Sequence, residues 1–154
     1  MRSDPFLEDF APPRSEAEVA NHLGTADHRG YLLPGMALTA QVLTVRPSRN
    51  SKRTEQVKFL VDSGAVYSLV PAAILRKLGL RPYREVSFSL ADGTIVSRKV
   101  GDAYFEIDGN RGPAPVIFGE EGDEPLLGAT TLESLGLILD PFKRRLIPMR
   151  MVLA

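Results

Sequence analysis

From Met36 onward the apolar residues alternate with polar ones in short runs that glycine, proline and aspartate interrupt. Alternation at period two puts every second side chain on one face of a strand, so the pattern predicts a chain built mostly of short β-strands. "MALTAQVLTV" alternates through Met36, Leu38, Ala40 and Val42, then changes phase at Leu43 and Val45. A one-residue phase change predicts a bulge. "EQVKFLV" alternates through Val57, Phe59 and Val61. With the polar "RPSRNSKRT" between them, the two runs predict a hairpin that ends at Asp62. "VSFSL" puts Val86, Phe88 and Leu90 on one face, and the Asp92-Gly93 that follows is a hairpin signal of the type I′ kind. "TIVSRKV" returns from that turn. "AYFEI" and "PVIF" are two more short strands, joined by the turn "DGNRG".

Two segments carry helix punctuation instead. "PAAILRKLGL" has Pro71 for its first turn and Gly79 for its stop. "TTLESLG" has Thr130 and Glu133 at capping-box spacing and Gly136 as its stop. The tail "RRLIPMRMVLA" reads as a last apolar strand, confined to an edge by Pro148 and without an evident partner in the chain.

Composition narrows the setting. A chain of 154 residues with 44% hydrophobic content can bury a core as one domain. Nineteen basic and nineteen acidic side chains cancel, so no net field draws the chain to nucleic acid or an anionic membrane. There is no cysteine, which excludes disulfides and thiolate chemistry and fits a reducing compartment. No apolar run approaches the roughly 20 residues of a membrane span. The acidic N-terminus does not read as a secretory signal, so the expected location is cytoplasmic. Residues 1–34 read as a leader holding one candidate helix, "SEAEVANHLG", and both histidines, His22 and His28; residues 35–154 read as the domain. The histidine spacing fits no common metal site, and the acids of "GEEGDEP" read as a solvated loop.

Asp62 poses the chemical question. A carboxylate between "FLV" and "YSLV" loses water, which costs free energy unless the group is hydrogen-bonded, paired or used. A partial repeat sharpens the question. "SGAVYSLVPAAILRKLGL" and "LGATTLESLGLIL" share Gly-Ala, at 64–65 and 128–129, and a Leu-x-x-Leu-Gly-Leu ending. The first copy has Asp62 two residues before its glycine, and the second has Leu126 there. Taken alone, Asp-Ser-Gly is also good turn chemistry.

Asp62-Ser63-Gly64-Ala65, with the "SLADGTIV" hairpin and the Leu126-Leu127-Gly128 triplet with its helix, resembles the retropepsin-like aspartic protease family from about Met36 to Pro148. The resemblance implies a mostly β fold: a closed antiparallel retropepsin-like acid-protease β-barrel with a flap hairpin and one or two short helices. It implies an aspartic endopeptidase with no cofactor. It makes Asp62, Ser63 and Gly64 the catalytic loop, and Ala65, Ala91, Asp92 and Gly93 the substrate-binding residues. One Asp-Ser-Gly supplies half of a carboxylate pair, so the expected partner is a second copy in a C2 homodimer, acting on an extended peptide or protein. The alternative is a non-catalytic dimerisation or peptide-binding module on the same fold. If a second acid lies within the chain, Asp140 is the candidate. Two departures stand out: Ser63 where threonine is more usual, and a single glycine, Gly93, in the presumed flap tip.

Overall fold

The structure, a computed structural model, describes residues 39–90 and 92–153. The leader over 1–34, with its candidate helix and His22 and His28, lies outside the described residues, as do the Met36–Leu38 start of the first run and Ala91.

Strands β1 (Ala40–Arg46) and β2 (Glu55–Val61) form the expected antiparallel hairpin. The expected bulge is absent, because the register steps without a break from Ala40 opposite Leu60 to Val45 opposite Glu55. Leu43 and Val45 hold the inward phase at 0% exposure, whereas Val42 is 53% exposed. The phase change in the sequence therefore marks apolar residues on the outer face and not an extra residue in the strand.

Further along come β3 (Ser68–Pro71), helix α1 (Ala72–Lys77), β4 (Arg84–Ser89), β5 (Ile95–Ile107) and β6 (Asn110–Gly119). "TIVSRKV" and "AYFEI" are thus one strand. β5 pairs with β4 through its first half and with β6 through its second, and it changes partner at Val100. Gly101 sits at that change. A Cβ there would lie 3.0 Å from the Arg81 carbonyl oxygen and 3.0 Å from the Phe118 ring, so the strand can pass this crowded point only without a side chain. The β5–β6 turn is Asp108-Gly109, with φ of 48° and 81°. Positive φ at both residues of a two-residue loop defines the type I′ hairpin.

The chain ends with β7 (Leu126–Leu127), α2 (Ala129–Leu135), β8 (Leu137–Asp140) and β9 (Arg145–Pro148). β1, β2, β7, β3, β6 and β5 follow one another in the sheet, and β5 pairs back to β1, so the sheet closes into a ring. β4 hangs on β5 outside that ring, as one arm of the hairpin expected over the site. Most pairings are antiparallel; β2–β7 and β3–β6 are parallel. The ring encloses the larger core, where the Phe59 and Phe105 rings meet at 6.1 Å. A second cluster of Ala65, Leu69, Phe88, Val100, Ile117 and Leu126 packs the β4–β5 hairpin onto the loop after β2.

The C-terminal strand has an intrachain partner, contrary to expectation. β9 pairs antiparallel with β8 along Leu137–Asp140. The turn between them is fixed by Asp140, whose Oδ1 accepts the Phe142 and Lys143 N–H groups at 3.0 and 3.1 Å. Beyond β9, Met149 N–H donates to the Gly136 carbonyl at 2.7 Å, and Met151, Val152 and Leu153 are exposed. Among the described residues no helix is long and apolar enough to cross a membrane.

Candidate active site

The site is assembled where the two parallel-paired strands β2 and β7 end together. Leu60 lies opposite Leu126 and Val61 opposite Leu127. Asp62 N–H then donates to the Leu127 carbonyl at 2.9 Å, which extends the ladder by one bond and stops β2 at the acid. The chain turns at once. Gly64 N–H donates to Asp62 Oδ1 at 3.0 Å, and Ala65 N–H donates to the Asp62 carbonyl at 3.2 Å. This is the side-chain-supported turn that aspartate makes two residues ahead of a free N–H. Asp62 is 2% exposed, while Ser63 and Gly64 are exposed beside it.

Helix α2 meets this loop through its unsatisfied first turn. The first N–H groups of a helix have no partner within it. Here Ala129 N–H donates to the Ala65 carbonyl at 2.7 Å and Thr130 N–H to the Val66 carbonyl at 3.0 Å. That arrangement starts the helix at Gly128 and displaces the expected capping box. Thr130 lies inside the helix, the N-cap is Gly128, and no side chain caps it. The close approach requires glycine: a Cβ at Gly128 would lie 2.6 Å from the carbonyl carbon and oxygen of Tyr67. The helix stops are as read from sequence, with Gly79 at φ 84° and Gly136 at φ 69°.

A buried hydroxyl pair completes the brace. Ser68 and Thr131 are each 0% exposed. Their hydroxyls are 2.5 Å apart, and Ser68 Oγ accepts the Gly128 N–H at 2.9 Å. Neither residue was singled out from the sequence. The available clue was a serine inside the apolar run "YSLV", since a buried hydroxyl needs a partner.

The hairpin β4–β5 lies over the loop. Its tip differs from the two-residue type I′ turn expected at Asp92-Gly93. Leu90 N–H donates to the Thr94 carbonyl at 2.7 Å, so three residues separate the last paired positions. Gly93 has φ 86° and its N–H donates to the Leu90 carbonyl at 2.9 Å, the pattern of a three-residue hairpin with glycine in the left-handed region. Thr94 N–H donates to Asp92 Oδ1 at 2.8 Å. Hydrogen bonding from Thr94 holds the Asp92 carboxyl below the usual carboxylate range.

The structure thus brings Asp62, Ser63, Gly64 and Ala65 into one turn and puts Asp92 and Gly93 at the hairpin tip. Ala65 is fully buried, and its carbonyl is engaged by Ala129. Leu126, also fully buried, fills the place that carries the acid in the first copy. Asp140 lies in the turn of the separate β8–β9 sheet. Among the described residues no group of three or more His, Cys, Asp or Glu is placed to hold a metal ion.

Two further polar features border the site. Arg98, on β5, donates through Nε to Asp123 Oδ2 at 3.0 Å, tying the hairpin root to the loop that leads into β7. Arg84, the first residue of β4, donates to the Tyr67 hydroxyl at 2.8 Å, and its guanidinium carbon lies 5.6 Å from the Tyr67 ring centroid and 6.0 Å from that of Tyr83.

Comparison with curated proteins gives no match. Several solved structures are similar. The simian foamy virus (mac) protease is 24% identical over 60% of this chain and 92% of its own, with a TM-score of 0.42. The EIAV protease, in complex with an inhibitor, is 18% identical over 80% of this chain and 98% of its own, with a TM-score of 0.46. A retropepsin-like aspartic protease from Rickettsia conorii is 19% identical over 75% of this chain and 89% of its own, with a TM-score of 0.39. The family profile described as "Aspartyl protease" matches residues 50–131, more than half of the chain, from the β1–β2 loop to the buried hydroxyl of Thr131. That span contains the Asp62 turn, the hairpin and the Gly128 helix start, and the chain belongs to the aspartyl protease family.

Proposed function

We propose that the chain is a homodimeric aspartic endopeptidase, with Asp62 of each protomer supplying one of two catalytic carboxyls. The observation that carries this reading is a single acid, 2% exposed, fixed at the end of β2 by Gly64 N–H, with the leucine Leu126 in the corresponding place of the second copy. One chain therefore offers half of an acid–base pair, and a twofold axis supplies the rest.

The chemistry follows from two carboxyls at contact. Both cannot ionise there, so they hold one proton and act as a unit. The ionised carboxyl takes a proton from a water, whose oxygen attacks the peptide carbonyl carbon. The protonated carboxyl donates to the carbonyl oxygen, giving a neutral tetrahedral diol. The C–N bond then breaks as the nitrogen takes a proton, and the products are a carboxylic acid and an amine. Ser63 braces the two loops across the axis, and Gly64 lets the backbone turn. Ala65, fully buried, supports the loop from beneath. Ala91, Asp92 and Gly93 close over an extended peptide, which adds as a strand. Residues 35–154 carry this activity, and residues 1–34 form a leader.

The test is cleavage of an unfolded protein at mildly acidic pH by the full chain. Asn is nearly isosteric with Asp but cannot serve as the base, so Asp62→Asn should abolish cleavage and keep the fold. Excess Asp62→Asn mixed with wild type should suppress activity through mixed dimers. Wild-type rates from Asp62→Asn, or a fully active monomer in sedimentation at the assay concentration, refute the proposal.

A further inference from the structure

Arg84 stands apart from the other arginines that are held in place. Arg46, Arg98 and Arg111 each meet a glutamate or aspartate within 4 Å. Arg84 meets no carboxylate among the described residues; it is held by aromatic rings instead. Tyr67 accepts its hydrogen bond and offers a ring face, and Tyr83 offers a second ring within cation–π range. Both tyrosines are themselves anchored. Tyr67 packs against the cluster that contains Ala65 and Phe88, and the Tyr83 hydroxyl donates to Asp102 Oδ1 at 3.1 Å while its N–H donates to the Val100 carbonyl.

Such a guanidinium is pre-oriented yet keeps most of its valence. Of its five N–H donors, those facing Tyr67 and Tyr83 are directed at the two tyrosines. The remainder lie on an exposed side chain and suit a planar, two-pronged acceptor such as a carboxylate. Position matters as much as charge. Tyr67 lies on the loop that begins at Asp62, and Arg84 opens the β4 arm of the hairpin over that loop. The cation therefore sits where the loop that follows Asp62 meets the root of the β4–β5 hairpin.

We propose that Arg84, shelved on Tyr67 and Tyr83, is a specificity-determining residue that receives an acidic side chain, Asp or Glu, of a bound peptide. The assignment rests on the reading of the site as a peptide-cleaving one. It names the substrate class: extended peptides with a carboxylate a few residues from the scissile bond. The neighbouring shelf makes arginine specific here, since lysine cannot offer two in-plane donors.

The test separates binding from cleavage. Full-length Asp62→Asn protein is titrated into fluorescein-labelled decapeptides that are identical except for Glu, Gln or Lys placed at each position in turn, with affinity read by anisotropy. At one position Glu should bind about fivefold more tightly than Gln, in the range of an exposed but well-oriented charged pair. Raised salt should shrink that ratio. Arg84→Gln should bring it to one. A ratio unchanged in Arg84→Gln, or no Glu-over-Gln preference at any position, overturns the assignment. Wild-type cleavage of the same peptides is scored separately. Arg84-dependent binding without cleavage refutes the endopeptidase reading and leaves this one standing, and cleavage indifferent to Arg84 does the reverse.

Discussion

Removing one oxygen atom from Ser68 should cost more than its size suggests. Ser68 Oγ is fully buried, accepts the Gly128 N–H at 2.9 Å and shares a hydrogen bond with Thr131. Ser68→Ala deletes both bonds and leaves two buried groups, the Gly128 N–H and the Thr131 hydroxyl, without that partner. An unsatisfied buried group costs about 1–3 kcal/mol. Two of them put Ser68→Ala at ~2–6 kcal/mol, a large share of the ~5–15 kcal/mol that holds a domain of this size. Thr131→Val removes the other hydroxyl at nearly constant shape and keeps the Gly128 bond, so about 1–2 kcal/mol is expected. The double variant orphans only the Gly128 N–H. It should therefore be more stable than the two single losses predict by roughly 2–3 kcal/mol, the coupling of two side chains in contact. Urea denaturation followed by circular dichroism reads all four proteins, with equal m-values required for the comparison. A loss under ~0.5 kcal/mol for Ser68→Ala, or strictly additive losses, would refute the brace; both thresholds lie within the resolution of a double-mutant cycle.

Other outcomes follow from the same geometry. Two glycines should fail for different reasons. Gly128 has φ −94°, open to any residue, but its Cβ would meet Tyr67 at 2.6 Å, so Gly128→Ala should destabilise by about 1–3 kcal/mol through overpacking, read as a lower urea midpoint. Gly93 has nothing within 4 Å of a Cβ but has φ 86°, so Gly93→Val strains only the hairpin tip, by about 1–3 kcal/mol, and should reduce turnover more than it lowers the melting temperature. Asp92, with its carboxyl held low by Thr94, binds fewer protons folded than unfolded. Its contribution to the tip is thus fully present above the ordinary carboxylate range and is lost only as pH falls through the lowered folded value; an NMR titration of its carboxyl carbon that came out at or above the ordinary value would contradict this. A chain beginning at Pro34 keeps Thr39, whose carbonyl accepts the Val61 N–H at 2.8 Å, and should melt at the same temperature as the full chain.

What the sequence disclosed was local. The period-two runs, the glycine stops at Gly79 and Gly136, and the Asp-Ser-Gly turn all rest on residues within a few positions of one another, where one sequence carries the information. The readings that changed depended on distant contacts. The Thr130–Glu133 capping box was plausible locally, but the carbonyls of Ala65 and Val66 reach the helix start first. The tail looked unpaired because β8 could not be told from the end of a helix segment, and Asp140 gave no sign that it would build a turn. The phase change in β1 looked like a bulge because Val42 is apolar and faces outward, and periodicity alone cannot tell an exposed valine from a buried one. Arg84, Ser68 and Thr131 stayed hidden for the same reason: each matters through a residue from another part of the chain.

The same distinction orders the stability of the parts. Asp62 bonds to Leu127, Ala65 to Ala129, Val66 to Thr130 and Ser68 to Thr131, all between segments that more than sixty residues separate. Closing such a long loop costs entropy before any contact returns it, so these bonds form only when the ring closes. The hairpin tip, by contrast, is bonded within a few residues, from Leu90 to Thr94, and is exposed. Local opening should therefore reach the tip at little cost and reach the Asp62 turn only with the whole domain. Native-state amide exchange reads this directly. The N–H groups of Asp62, Gly128, Ala129 and Thr130 should share one opening free energy, equal to that from urea denaturation. Those of Gly93 and Thr94 should exchange far sooner and respond little to denaturant. If Asp62 and Ala129 instead exchanged by local fluctuation, as fast as the tip, the site would be a soft loop laid on the ring. The reasoning that ties the acid's position to ring closure would then fail.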